Sequence, residues 1–198
     1  MVDGTTPGDR LDQQLDFLVE IDKLKTIVRA SPIADGSRRE NSGEHSWHLA
    51  MFALILADQA APEVSIDRVI RMLLIHDIVE IDAGDFPIHE AHDEAAKEAA
   101  ESAAAERLFG LLPADQGTGL RSLWEEFEAG DSPDARFARA LDRCQPPLLN
   151  LASGGGSWIL HNVTLENIDT RVGIPAKRGA PGLWDRVRHR ILPFFQTN

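Results

Sequence analysis

Ionisable side chains on the inward stripe of a helix leave a chain few ways to fold, and this chain sets three of them together. Ile66, Val69, Ile70, Leu73, Leu74, Ile78 and Ile81 recur at helical spacing, so the pattern predicts one helix over 65–81 with that stripe facing a core. Asp77, next to His76, falls four residues past Leu73, and Glu80 follows at i+3 on the same side. Burying an unpaired carboxylate costs several kcal/mol, on the order of a domain's whole stability margin. A cation therefore has to stand beside these acids. No lysine or arginine lies on that face of the helix, and a metal ion would meet the need.

Further metal donors occur on both sides. Glu44-His45-Ser46-Trp47-His48 opens a second apolar helix, and Leu49, Phe52 and Leu56 continue from His45 at i+4, i+7 and i+11. That spacing aims His45 along the buried face. Asp142, beside Leu141 and four residues past Ala138, is another carboxylate bordering an apolar stripe. Two histidines and two aspartates form a mixed nitrogen and oxygen set. It suits one divalent ion such as manganese, cobalt or ferrous iron, and also admits magnesium or zinc.

The order of a histidine, a His-Asp doublet and a distant aspartate resembles the HD-domain metal-dependent phosphohydrolases. Arg38-Arg39-Glu40-Asn41-Ser42-Gly43-Glu44-His45-Ser46 is similar to the segment around the first histidine in the 5'-deoxynucleotidase branch. His76-Asp77-Ile78-Val79-Glu80 with Gly84-Asp85-Phe86-Pro87 resembles that branch's second segment, and Ala140-Leu141-Asp142 its last. The resemblance implies metal ligation by His45, His76, Asp77 and Asp142. It makes Glu80 the residue handling the attacking water, with Asp85 assisting. The implied activity is removal of the 5'-phosphate of (deoxy)nucleoside monophosphates, in a homodimer. One departure bears on specificity: an Arg-Trp pair expected before a proline reads Ala30-Ser31 before Pro32. Arg38, Arg39 and His89 are candidate substrate contacts.

At 198 residues and 43% apolar, the chain suits one all-α domain, an HD-type helical bundle over 11–198 behind a flexible tail at 1–10. A net charge of -12 argues against a nucleic-acid polymer as partner and leaves room for a small phosphorylated substrate. One cysteine, Cys144, permits no internal disulfide and reads as a small buried side chain. The N-terminus lacks a signal-peptide pattern, and the longest apolar run, Leu49 to Ala57, is too short for a membrane span, so the expected location is the cytoplasm.

Periodicity and breakers predict helices near 11–30, 44–59, 90–112, 120–128, from Ser132-Pro133 onward, and 183–195. Pro146-Pro147 is expected to end or kink the helix that carries Asp142. His48 and the four tryptophans read as structural, Arg143 as solvated, and Gly117-Thr118-Gly119 and Gly154 to Ser157 as loops. Three alternatives stay open on sequence alone: a phosphohydrolase of another phosphomonoester or of a phosphodiester, a two-iron redox enzyme using further histidines such as His89 and His92, and a non-catalytic ligand-binding domain.

Overall fold

The computed structural model describes residues 7–86 and 93–197. Eleven helical segments surround one small hairpin, so the chain is all-α in class. Helix α1 spans Pro7–Glu20 and tightens into a 3-10 turn, Ile21–Thr26. The predicted helix over 11–30 therefore stops early. Its last third is strand β1, Val28–Pro32, paired antiparallel with β2, Arg39–Asn41. Thr26, Ile27 and Val28 are β-branched and fit a strand better than a helix end.

Asn41 caps α2 (Ser42–Ile55) with a full capping box: its side chain accepts from Glu44 N, and Glu44 accepts from Asn41 N. The predicted helix over 65–81 is broken in two. Helix α3 runs Ile66–Ile75, and a short α4 runs Glu80–Ala83. Between them the backbone bonds shift to i+3 spacing, as in Ile78 N to Ile75 O and Glu80 N to Asp77 O. His76 and Asp77 thus sit on a tightened turn instead of in mid-helix. Leu74 is exposed as a consequence, while Met72 and Ile75 are buried.

Helices α5 (Glu94–Phe109) and α6 (Ala114–Ala129) follow, and Gly117 lies inside α6, where a helix, not a loop, packs against Phe109 O. Helix α7 (Pro133–Ala152) starts on the Ser132 cap and runs straight through Pro146 and Pro147. Its two halves belong to different cores. Phe137, Ala138 and Leu141 pack with α2, α3, α5 and α6, whereas Cys144 packs with Trp158, Val172, Trp184 and Ile191. Burial on both sides, together with Asn150 Nδ2 donating to Pro146 O, carries the helix past the prolines. Gly154, Gly155 and Gly156 all have positive φ and turn the chain into α8 (Gly156–Leu160). Short α9 (Leu165–Ile168), a π turn over Asp169–Gly173, α10 (Ile174–Gly179) and α11 (Pro181–Thr197) close the second core.

Helix α10 crosses α7 so closely that a Cβ on Gly179 would lie 1.9 Å from Arg136 O. Neither backbone can give way cheaply. Gly179→Ala is expected to cost about 1–3 kcal/mol, the range for overpacked sites, read as a lower urea midpoint.

Candidate metal centre

Three donors converge from three helices or their ends. Single ligand atoms of His45 (α2), His76 (end of α3) and Asp142 (α7) all lie within 4.8 Å of one another, the one such group among the described residues. His45 Nε2 is 3.0 Å from Asp142 Oδ1, and His76 Nε2 is 3.9 Å from the same oxygen. Asp77 stands beside them with Oδ1 3.0 Å from His76 Nε2. Its other oxygen accepts from Arg29 at 2.7 Å.

The donor chemistry fits a cation. His76 Nδ1 donates to Leu73 O at 2.9 Å, which leaves Nε2 as a bare lone pair. That nitrogen is buried without a hydrogen-bond partner and looks toward two carboxylate oxygens. A divalent ion satisfies all three atoms at once. Burial, the largest influence, holds His76 below the ordinary imidazole range and so neutral. Burial pushes Asp142 the other way, yet the His45 hydrogen bond and the nearby charges of Arg143, His45 and His76 hold it well below the usual carboxylate range.

Arg29 was not legible as a site residue. It reaches in from β1 with its side chain 14% exposed, 2.7 Å from Asp77, 3.6 Å from Glu80 and 3.9 Å from Asp85. Burial disfavours its charge, but Asp77, Glu80, Asp85 and Asp142 more than compensate and raise its pKa. The buried acids are therefore neutralised in part by an arginine far away in sequence, which corrects the expectation of a metal ion alone. Although Ala30-Ser31 replaces the expected Arg-Trp pair, this guanidinium comes from the position just before it.

Glu80 is buried, and Ser42 Oγ donates to its Oε2 at 2.5 Å. Burial first, and then the charge of Asp77, push its carboxyl well above the ordinary value. Asp85, whose carboxyl accepts from the Ala30 backbone, is also raised, chiefly by burial. A cavity of about 90 Å³ lies against this cluster, lined by Arg29, Ser31, Asp85, Asp142, Arg143 and Asn150 among others. Phe86 and Arg143 also line an adjoining open groove of about 970 Å³.

Arg38 and Arg39 are not brought to the cavity. Arg38 is exposed and held by Glu44 in two hydrogen bonds of 2.7 and 2.8 Å, and Arg39 is exposed too. Their place is taken by Arg29 and by Arg143, which lines the cavity instead of facing away. His89 and His92 lie outside the described residues. His48 is half-buried, with Nδ1 3.1 Å from Gln145 Nε2. Cys144 is buried, and burial pushes its thiol up to about 12. Trp124, Trp158 and Trp184 are buried packing residues, but Trp47 is 62% exposed.

A family model described as "HD domain" matches residues 21–184. The chain belongs to the HD-domain family. A solved structure from Magnetospirillum magnetotacticum MS-1, described as a predicted metal-dependent phosphohydrolase, is 50% identical and superposes with a TM-score of 0.88 over 94% of this chain and 96% of its own. This HD-domain protein accordingly falls among the metal-dependent phosphohydrolases of its family. The human 5'-deoxynucleotidase HDDC2 is 30% identical across 72% of this chain and 69% of its own. The Escherichia coli 5'-deoxynucleotidase YfbR is 28% identical across 78% and 82% respectively. No helix among the described residues is long and apolar enough to cross a membrane.

Two outcomes follow. Manganese at about 100 times its dissociation constant should stabilise the fold by about 2.7 kcal/mol and raise Tm by several degrees, and His76→Ala should abolish that rise in a thermal melt. Arg29→Ala strands the surrounding carboxylates and should cost about 3–5 kcal/mol in chelator at neutral pH. Without the guanidinium those carboxyl pKa values rise above their unfolded values, so stability falls as pH rises. Denaturation curves at mildly acidic pH should therefore recover part of the loss.

Proposed function

We propose that this protein hydrolyses phosphomonoesters, and that its substrates are nucleoside 5'-monophosphates, deoxynucleotides among them. The observation that carries the reading is the donor trio of His45, His76 and Asp142 beside a proton-holding Glu80 and a cavity of about 90 Å³. Such a space suits a phosphoryl group and excludes a nucleoside, which would lie along the adjoining groove past Phe86 and Arg143. The names of the human and E. coli relatives supply the nucleotide part of the proposal.

His45, His76, Asp77 and Asp142 would hold the ion. Once bound, a divalent ion supplies Lewis-acid polarisation of a phosphoryl oxygen and lowers the pKa of water. Arg29 faces the cavity and binds the anionic phosphoryl group while holding Asp77 in place. Glu80, anchored by Ser42, takes a proton from the attacking water as its oxygen bonds to phosphorus. As the ester P–O bond breaks, that proton goes to the departing 5'-oxygen, giving inorganic phosphate and a nucleoside. Asp85 accepts from the Ala30 backbone and keeps β1, with Arg29 on it, against the site. A homodimer is part of the proposal, supported by the exposed apolar stripe Trp47, Met51, Leu54 and Ile55 along α2, and the mass of the particle in solution decides it.

The test is a phosphate-release screen of ribo- and deoxynucleoside monophosphates and a non-nucleotide phosphomonoester, each with manganese, cobalt and magnesium. Release from at least one nucleotide is expected; release only from the non-nucleotide ester would overturn the substrate class, and none at all the activity. Glu80→Gln should lose about 10²–10⁴-fold in turnover yet keep the metal-induced rise in Tm. Asp77→Ala should lose both.

A further inference from the structure

Glu40 is 2% exposed, yet the hydrolysis set out above gives it no task. Its Oε1 faces His45 Nδ1 at 3.2 Å and Arg29 Nε at 3.6 Å. Its Oε2 accepts from Gln145 Nε2 at 3.1 Å. Neither Glu40 Oε1 nor His45 Nδ1 makes a hydrogen bond elsewhere among the described residues. A buried acceptor and a buried ring nitrogen thus have each other within reach, and a small ring rotation aligns them. On the opposite edge of the same ring, Nε2 looks at Asp142 Oδ1.

A neutral imidazole carries a single proton. Set on Nδ1 and given to Glu40, it leaves the Nε2 lone pair directed toward Asp142 and His76. Set on Nε2, it would point at Asp142 and spoil the donor. The choice between the two tautomers lies with Glu40.

We propose that Glu40 is a positioning residue for the metal centre: its carboxylate takes the Nδ1 proton of His45 and so fixes the ring with Nε2 as the donor. Gln145, fully buried one turn beyond Asp142 on α7, holds Glu40 for this task. One helix thereby carries both a donor to the ion and the support of a second donor. The inference rests on His45 being a metal ligand.

The test is titration of the full-length protein with cobalt, read by its visible absorption. Glu40→Leu should weaken binding about 10- to 100-fold, the usual loss when the partner of a metal-bound histidine is removed. Glu40→Gln keeps an acceptor oxygen and should weaken it less, and Gln145→Met should act in the same direction. Gly179→Ala, destabilised away from the site, should bind cobalt like the wild type, which separates positioning from stability. Should Glu40→Leu fail to fold, Glu40→Gln and Gln145→Met carry the reading. Affinities within about twofold of wild type in those variants would overturn the role of Glu40 alone. A wild-type protein that takes up no cobalt would overturn the metal site, and this inference with it.

Discussion

The interaction on which the rest of the structure depends is the containment of negative charge inside a helical core. Asp77, Glu80, Asp85 and Glu40 all sit within 4 Å of one guanidinium, that of Arg29. In water such a cluster would disperse; inside the fold it persists because Arg29 is itself buried and cannot be deprotonated at any relevant pH. The donor trio lies at one side of this cluster, so the two cationic influences divide the work. Arg29 holds the acids that act on the substrate, and the ion engages those that bind it.

Much of this was legible from residue spacing. His45 and the His76-Asp77 doublet could be placed near a core because their apolar neighbours follow helical periods, and Asp142 because it borders Leu141 and Ala138. The Ser132 cap and the all-α class were equally plain. Arg29 was not, because it lies on a strand that the apolar pattern Leu24, Ile27, Val28 disguised as the end of a helix. No periodicity within a helix reports a partner delivered from elsewhere by tertiary packing. Glu40 was hidden for the same reason, on the second strand of that hairpin.

Two other departures share a cause: local rules gave way to packing on two sides. Pro146 and Pro147 remove helical bonds, yet α7 continues because its faces are claimed by separate cores. The tightened turn after Ile75 breaks a periodic pattern that would have run on to Ile81. It also places His76 Nδ1 under Leu73 O, the bond that commits the opposite nitrogen to the centre.

The pairing of β1 with β2 is short, Val28 opposite Asn41 and Pro32 opposite Arg39, and it alone delivers both Arg29 and Glu40. Side chains on a strand alternate between faces, so a one-residue slip in register would turn both groups away from the cluster together. Evolution can therefore lengthen or shorten the bend over 33–38 with little consequence for chemistry. A single residue gained or lost within either strand would remove the guanidinium and the supporting carboxylate in one event.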